Sequence, residues 1–122
     1  MWVAILLLVG LHFVADWGLQ NPWMADNKGK FTSVMAAHCA IYTVIMSYGF
    51  MKFFAFYPIL PVVLFCTHWV IDLRKCRLCD IINNSSKMSK EAKIRYCDAL
   101  IWLDQVLHLL VILALVLYPI SR

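Results

Sequence analysis

The sequence predicts an all-α fold, an integral membrane four-helix bundle with both termini on the outer side, and three observations predict it. Hydrophobic residues make up 63% of the 122 positions and charged residues only 15%, whereas soluble domains are about 45–50% apolar. The apolar residues fall into four runs, each close to the ~20 residues that cross a bilayer core. Nine of the 11 Lys and Arg lie in two of the intervening segments, an asymmetry that orients membrane proteins.

The first span, residues 1–20, has no basic residue ahead of its apolar run and carries His12 and Asp16, so it reads as a retained span and not as a removable signal peptide. A polar segment, 21–32, follows with Lys28 and Lys30. The second span, 33–51, carries His38. The third, 54–73, carries His68 and Asp72, and the segment after it, 74–96, holds the other seven basic residues of the pair. The fourth span, 97–119, carries Asp104 and His108. Four crossings put segments 21–32 and 74–96 on one side, the cytoplasmic side by the positive-inside rule, with Lys52 and Arg122 outside. The chain is then one domain, 1–122, and Met88 to Tyr96 is expected to lie on the inner surface as a short amphipathic helix. Trp2 and Tyr118 fit an outer aromatic belt, Trp17, Trp23 and Trp102 an inner one. The net charge of +4 fits orientation and attraction to anionic lipid. No nucleic-acid partner is expected, because hydrophobic spans divide the charge and no recognised binding module is present.

Seven ionisable residues inside the spans carry the functional reading: His12, Asp16, His38, His68, Asp72, Asp104 and His108. Each costs a few kcal/mol or more in hydrocarbon, and imidazole and carboxylate are ligands of divalent metals. His12 and Asp16, His68 and Asp72, and Asp104 and His108 are each four apart, which stacks both side chains on one helix face. The third pair is reversed in order on a helix running the other way, so the histidine is the deeper member throughout. At 1.5 Å per residue the seven lie about 3 to 15 Å from the cytoplasmic helix ends, in one half of the bundle. A single such pair more often glues helices together by hydrogen bonding; three pairs and a fourth histidine at matched depth favour a metal centre. Some of the carboxylates are expected to orient metal-bound histidines instead of ligating.

The run HFVADWGLQ (12–20), Lys28 within ADNKGK, His38, HWVIDLRK (68–75) and LDQVLH (103–108) together resemble a polytopic bacterial and phage membrane family, domain of unknown function 3307. The resemblance covers nearly the whole chain. It implies a polar signature of His12, Asp16, Gln20, Lys28, His38, His68, Asp72, Asp104, Gln105 and His108, and it implies no established activity. Arg74 beside Lys75 is a departure that leaves open which of the two takes the basic role. A looser similarity is to membrane-bound metal-dependent hydrolases.

Zinc, as one or two ions, is the expected cofactor. Zinc with an open position lowers the pKa of its bound water to about 7, and two ions suit phosphoester cleavage. The expected function is hydrolysis of a lipid-like or phosphoester substrate at the cytoplasmic leaflet of a bacterial inner membrane, or of the host membrane for a phage-encoded chain. Asp16, Asp72 and Asp104 are the expected catalytic residues, and Lys28, Arg74, Lys75, Gln20 and Gln105 the expected head-group contacts. Two other classes compete: a proton or metal-ion transporter, and a non-enzymatic phage-type interaction protein with a structural metal. Residues 1–9 and 109–117 offer no polar side chain, which weighs against an aqueous path unless copies assemble into a homo-oligomer or with another membrane protein. Cys76 and Cys79 form a C-x-x-C with Cys97 beyond, and lack a second pair for a zinc site.

Overall fold

The computed structural model describes residues 1–118; Arg122 and the end of the expected fourth span lie outside them. Among the described residues all regular structure is helical: α1 (Trp2–Phe13), continued by one π-helical turn (Val14–Gly18), α2 (Pro22–Asn27), α3 (Thr32–Phe53), α4 (Leu60–Asn83) and α5 (Lys90–Leu117). Two of these, α3 and α5, are long and apolar enough to cross a membrane.

Local chemistry sets the boundaries. Asn21 caps α2, its side-chain oxygen accepting the Met24 N–H at 2.7 Å, and Pro22 occupies the first turn, where its missing N–H costs nothing. The expected third helix starts at Leu60 and not at 54. Pro58 disfavours helix at the residue before it, while Pro61 fits the first turn of α4.

The larger correction concerns segment 74–96, expected as a loop. Helix continues through it except at 84–89, because no Gly or Pro occurs between Pro61 and Pro119 and only the polar run Asn83 to Ser86 breaks the chain. Residues 90–96 are accordingly the first turns of α5 and not a separate surface helix. Ser89 caps them by accepting the Ala92 N–H at 3.2 Å, and Lys93 Nζ donates to the Asn83 carbonyl at 2.8 Å, tying the start of α5 to the end of α4.

Helix α1 packs on α3, α3 on α4 and α4 on α5, with α2 against α3. The interior divides in two. Toward one end Leu8, Met46, Phe50, Leu60, Leu64, Ile112 and Val116 form an apolar core; toward the other, buried His, Asp, Lys and Gln side chains gather beside Val34, Met35 and Cys39. Large apolar side chains such as Leu6, Val44, Val62, Trp102, Leu103 and Leu110 face outward.

Two glycines allow close backbone approach. A Cβ at Gly49 would lie 2.6 Å from Leu11 Cδ2 on α1, and one at Gly29 would lie 2.7 Å from the Cβ of Cys76 on α4. Gly29 therefore presses the turn that carries Lys28 against α4. Gly29→Ala is expected to destabilise the protein by about 1–3 kcal/mol through overpacking, and Cys76→Gly in the same chain to recover most of that, both measured by unfolding in detergent. An unchanged stability in the single variant would refute the close approach.

Candidate metal centre

Each of the four longer helical segments presents two polar side chains one turn apart to the interior: His12 and Asp16, His38 and Tyr42, His68 and Asp72, Asp104 and His108. All eight are buried. Tyr42 is the member that the sequence reading missed, although its spacing from His38 repeats the pattern of the other three segments. Its ring stacks on His68 with centroids 3.7 Å apart and planes at 14°.

The π turn adjusts the first pair. Leu19 N–H donates to the Val14 carbonyl at 3.0 Å, five residues back, and the widened turn buries the consecutive residues Ala15 and Asp16. Single π turns inside α-helices are frequent at functional sites.

Four ligand-type atoms converge between α1, α3 and α4. His38 Nε2 lies 2.9 Å from His68 Nε2 and 3.2 Å from both Asp16 Oδ1 and Asp72 Oδ2. His68 Nε2 is 3.6 Å from the same Asp16 oxygen and 3.7 Å from the same Asp72 oxygen. A tetrahedron with bonds of about 2.0–2.1 Å has edges of about 3.3–3.4 Å, a value that these five separations bracket.

A second group shares two of those residues: Asp16, Asp72, Asp104 and His108 bring one ligand atom each within 4.8 Å of one another. Here His108 Nδ1–H donates to the Asp104 backbone carbonyl at 2.8 Å. That bond fixes the tautomer and leaves Nε2 as a bare lone pair, 3.8 Å from Asp72 Oδ1. His108 Nε2 and the Oδ1 atoms of Asp16, Asp72 and Asp104 are all buried without a hydrogen-bond partner.

Gln105 organises the remaining polar atoms. Its Nε2 donates to Asp16 Oδ2 and to Asp104 Oδ2, each at 3.0 Å. Because carboxylates only accept, these bonds turn the amide oxygen toward His12, whose Nε2–H donates to it at 2.9 Å. His12 Nδ1 is left to accept from the Tyr42 hydroxyl at 3.0 Å. Both nitrogens of His12 are therefore engaged, even though it also lies within ligand range of Asp16 and His108.

Two lysines reach the carboxylates. Lys28, on the turn after α2, is 4% exposed and pairs with Asp72, with its Nζ 3.4 Å from His38 Nε2. Lys75 Nζ lies 3.4 Å from Asp104 Oδ2 and 3.8 Å from Asp72 Oδ1. Burial alone lowers the Lys75 pKa, and the two carboxylates outweigh it, pushing the ammonium up to about 12. Three carboxylates against two ammonium groups leave one negative charge uncompensated when the imidazoles are neutral.

The other expected contacts divide. Gln20 and Lys75, with Lys28 and Lys30, line a cleft of about 480 Å³ beside the cluster, and Gln20 Oε1 is buried without a partner. Arg74 is exposed on the far side of α4 from that cleft and lines an outer groove instead. In the C-x-x-C, burial and the neighbouring Cys97 thiol push Cys79 up to about 12, and burial raises Cys76. Thiols held protonated are poor zinc ligands.

A profile of the family described as "Protein of unknown function (DUF3307)" matches residues 3–121, and the chain belongs to that family. No curated protein and no solved structure matches the chain.

Since Lys28 and Asp72 are 4% and 0% exposed, removing the cation alone strands a buried carboxylate. Lys28→Met is expected to cost about 3–5 kcal/mol, and Lys28→Met with Asp72→Asn to cost much less. Chemical unfolding in detergent reads both. A single-variant loss below about 1 kcal/mol, the range of a solvated pair, would contradict this account of Lys28.

Proposed function

We propose that this member of the DUF3307 family is a membrane-embedded, divalent-metal-dependent hydrolase with two adjacent metal positions that share Asp16 and Asp72. His38 and His68 complete the first position, Asp104 and His108 the second. Zinc suits this nitrogen and oxygen donor set. His12, engaged through both nitrogens, serves to hold Gln105, and Gln105 in turn fixes the inner oxygens of Asp16 and Asp104. Partners of this kind typically tune metal affinity 10- to 100-fold.

The observation that carries the reading is an excess of acceptors. His108 Nε2 and the Oδ1 atoms of Asp16, Asp72 and Asp104 are buried without a hydrogen-bond partner, and two imidazole nitrogens 2.9 Å apart have room for at most one proton. Buried acceptors facing one another repel unless cations lie among them.

The membrane reading draws support from the reversed polarity: a polar interior inside an apolar exterior, with α3 and α5 each able to span. We take α1 and α4 to cross as well. The termini then lie outside and the lysine-bearing ends of the helices at the cytoplasmic face of a bacterial inner membrane. The same division disfavours transport, since the half beyond the cluster is packed with Leu8, Met46, Phe50, Leu64 and Ile112 and offers an ion few polar contacts, Thr43 and Ser47 on α3 among them.

Bound metal would supply an activated water at neutral pH and a Lewis acid for a phosphoryl oxygen. Asp104, its Oδ2 held by Gln105 and faced by Lys75, would present its unpartnered Oδ1 to the second position. Lys28 and Lys75 can hold charge that develops on the phosphoryl group. The substrate is a phosphoester at the cytoplasmic leaflet.

Elemental analysis of protein purified without chelator is expected to find one to two equivalents of zinc or manganese. His68→Ala and Asp72→Asn should lose most of it, while His12→Ala should keep binding at reduced affinity. Phosphoester turnover should vanish with EDTA and return with added metal. Protein that carries no metal and takes none up on titration would overturn the proposal.

A further inference from the structure

The outer groove between α4 and α5 borders the proposed centre, with which it shares Lys75 and Asp104, and the rest of its lining is mostly apolar. It encloses about 200 Å³. Val70, Leu103 and Leu107 make it apolar on one side of Arg74, Lys75 and Asp104, and Leu78 and Leu100 on the other. Arg74 and Lys75 are consecutive but diverge: Arg74 is exposed at the rim, and Lys75 reaches inward to Asp104 at 3.4 Å. Lys75 also lines the cleft of about 480 Å³ on the other side, with Lys28, Lys30 and Gln20. It is thus the wall common to an apolar groove and a polar cleft, and it touches the carboxylates of the candidate centre.

We infer that this groove receives one acyl chain of an anionic membrane lipid whose phosphate lies at Arg74 and Lys75. The inference rests on the membrane placement proposed above and deepens it by naming the substrate class, a lipid phosphoester. A free phosphate has no use for the apolar walls, and a neutral glyceride has none for the two cations. A chain tipped by one phosphate satisfies both, since guanidinium and ammonium groups are the usual partners of phosphate oxygens.

The test is photolabelling in phosphatidylcholine vesicles, with a trace of phosphatidic acid carrying a diazirine on one acyl chain and EDTA present throughout. Adducts mapped by mass spectrometry are expected to concentrate on Val70, Leu103 and Leu107. Leu103→Trp, which fills the groove, should cut them about tenfold, as should Arg74→Gln by loss of a charged contact. Val44→Trp on α3, also outward-facing, should leave them unchanged and controls for folding. Diacylglycerol with the same label should react far less. Adducts spread evenly over α3 and α5, or indifferent to Leu103→Trp, would overturn the inference. Because EDTA is present, groove labelling in a protein that never binds metal would sink the hydrolase and spare the lipid site; metal binding without groove labelling would do the reverse.

Discussion

Three carboxylates share one buried interior, and most of what is specific to this protein follows from keeping Asp16, Asp72 and Asp104 there together. Each needs donors or cations, because an ionised carboxylate stripped of water is costly unless paired. The packing provides them from every long helix. Asp72 has Lys28 from the α2–α3 turn, Lys75 from its own helix and His38 from α3. Asp16 and Asp104 share the amide of Gln105. Gln105 matters mechanically as well. Helices α1 and α5 are not among the closely packed pairs, and its bonds to His12 and Asp16 join the two across the interior.

How much of this was legible in the sequence depended on whether the signal was periodic or steric. The i, i+4 spacing of His and Asp on apolar segments pointed to one buried cluster, and the structure brings all seven of those residues together. Tyr42 escaped because a lone tyrosine in an apolar run reads as packing, even though it lies one turn from His38. The π turn left no mark in the sequence, since the i, i+4 spacing of His12 and Asp16 reads the same in an ordinary α-helix. Segment 74–96 was misjudged because charge was read as loop. In the absence of Gly and Pro, Arg and Lys are good helix formers, and α4 simply continues past the apolar stretch. Arg74 and Lys75 could not be separated by composition; only the helix rotation between neighbours sends one inward and the other to the rim.

The two halves of the interior have different tasks. The apolar half closes by shape: Gly49 lets α3 approach Leu8 and Leu11 on α1, and Tyr57 donates to the Leu115 carbonyl at 2.7 Å, tying the α3–α4 connection to α5. This half supplies rigidity without polar partners, so the donors of the other half can hold fixed geometry. Precision in a buried site comes from side chains whose rotamers are locked by packing and outer hydrogen bonds. The stack of Tyr42 on His68 and the chain from Tyr42 through His12 to Gln105 are such locks.

Lys28 has a double character under this arrangement. Beside His38 and paired with Asp72, its ammonium stands where a cation among the first four ligand atoms would repel it. The turn that carries it is held to α4 by the close approach of Gly29 to Cys76, and the lysine stem is long enough to swing its head group toward the adjoining cleft while that turn stays in place. In the structure that side chain neutralises Asp72 while its residue also lines the cleft with Lys75 and Lys30. One charge thus stands within reach of both the carboxylates and the cleft, and this is why Lys28 is held so closely although it belongs to a turn and not to one of the long helices.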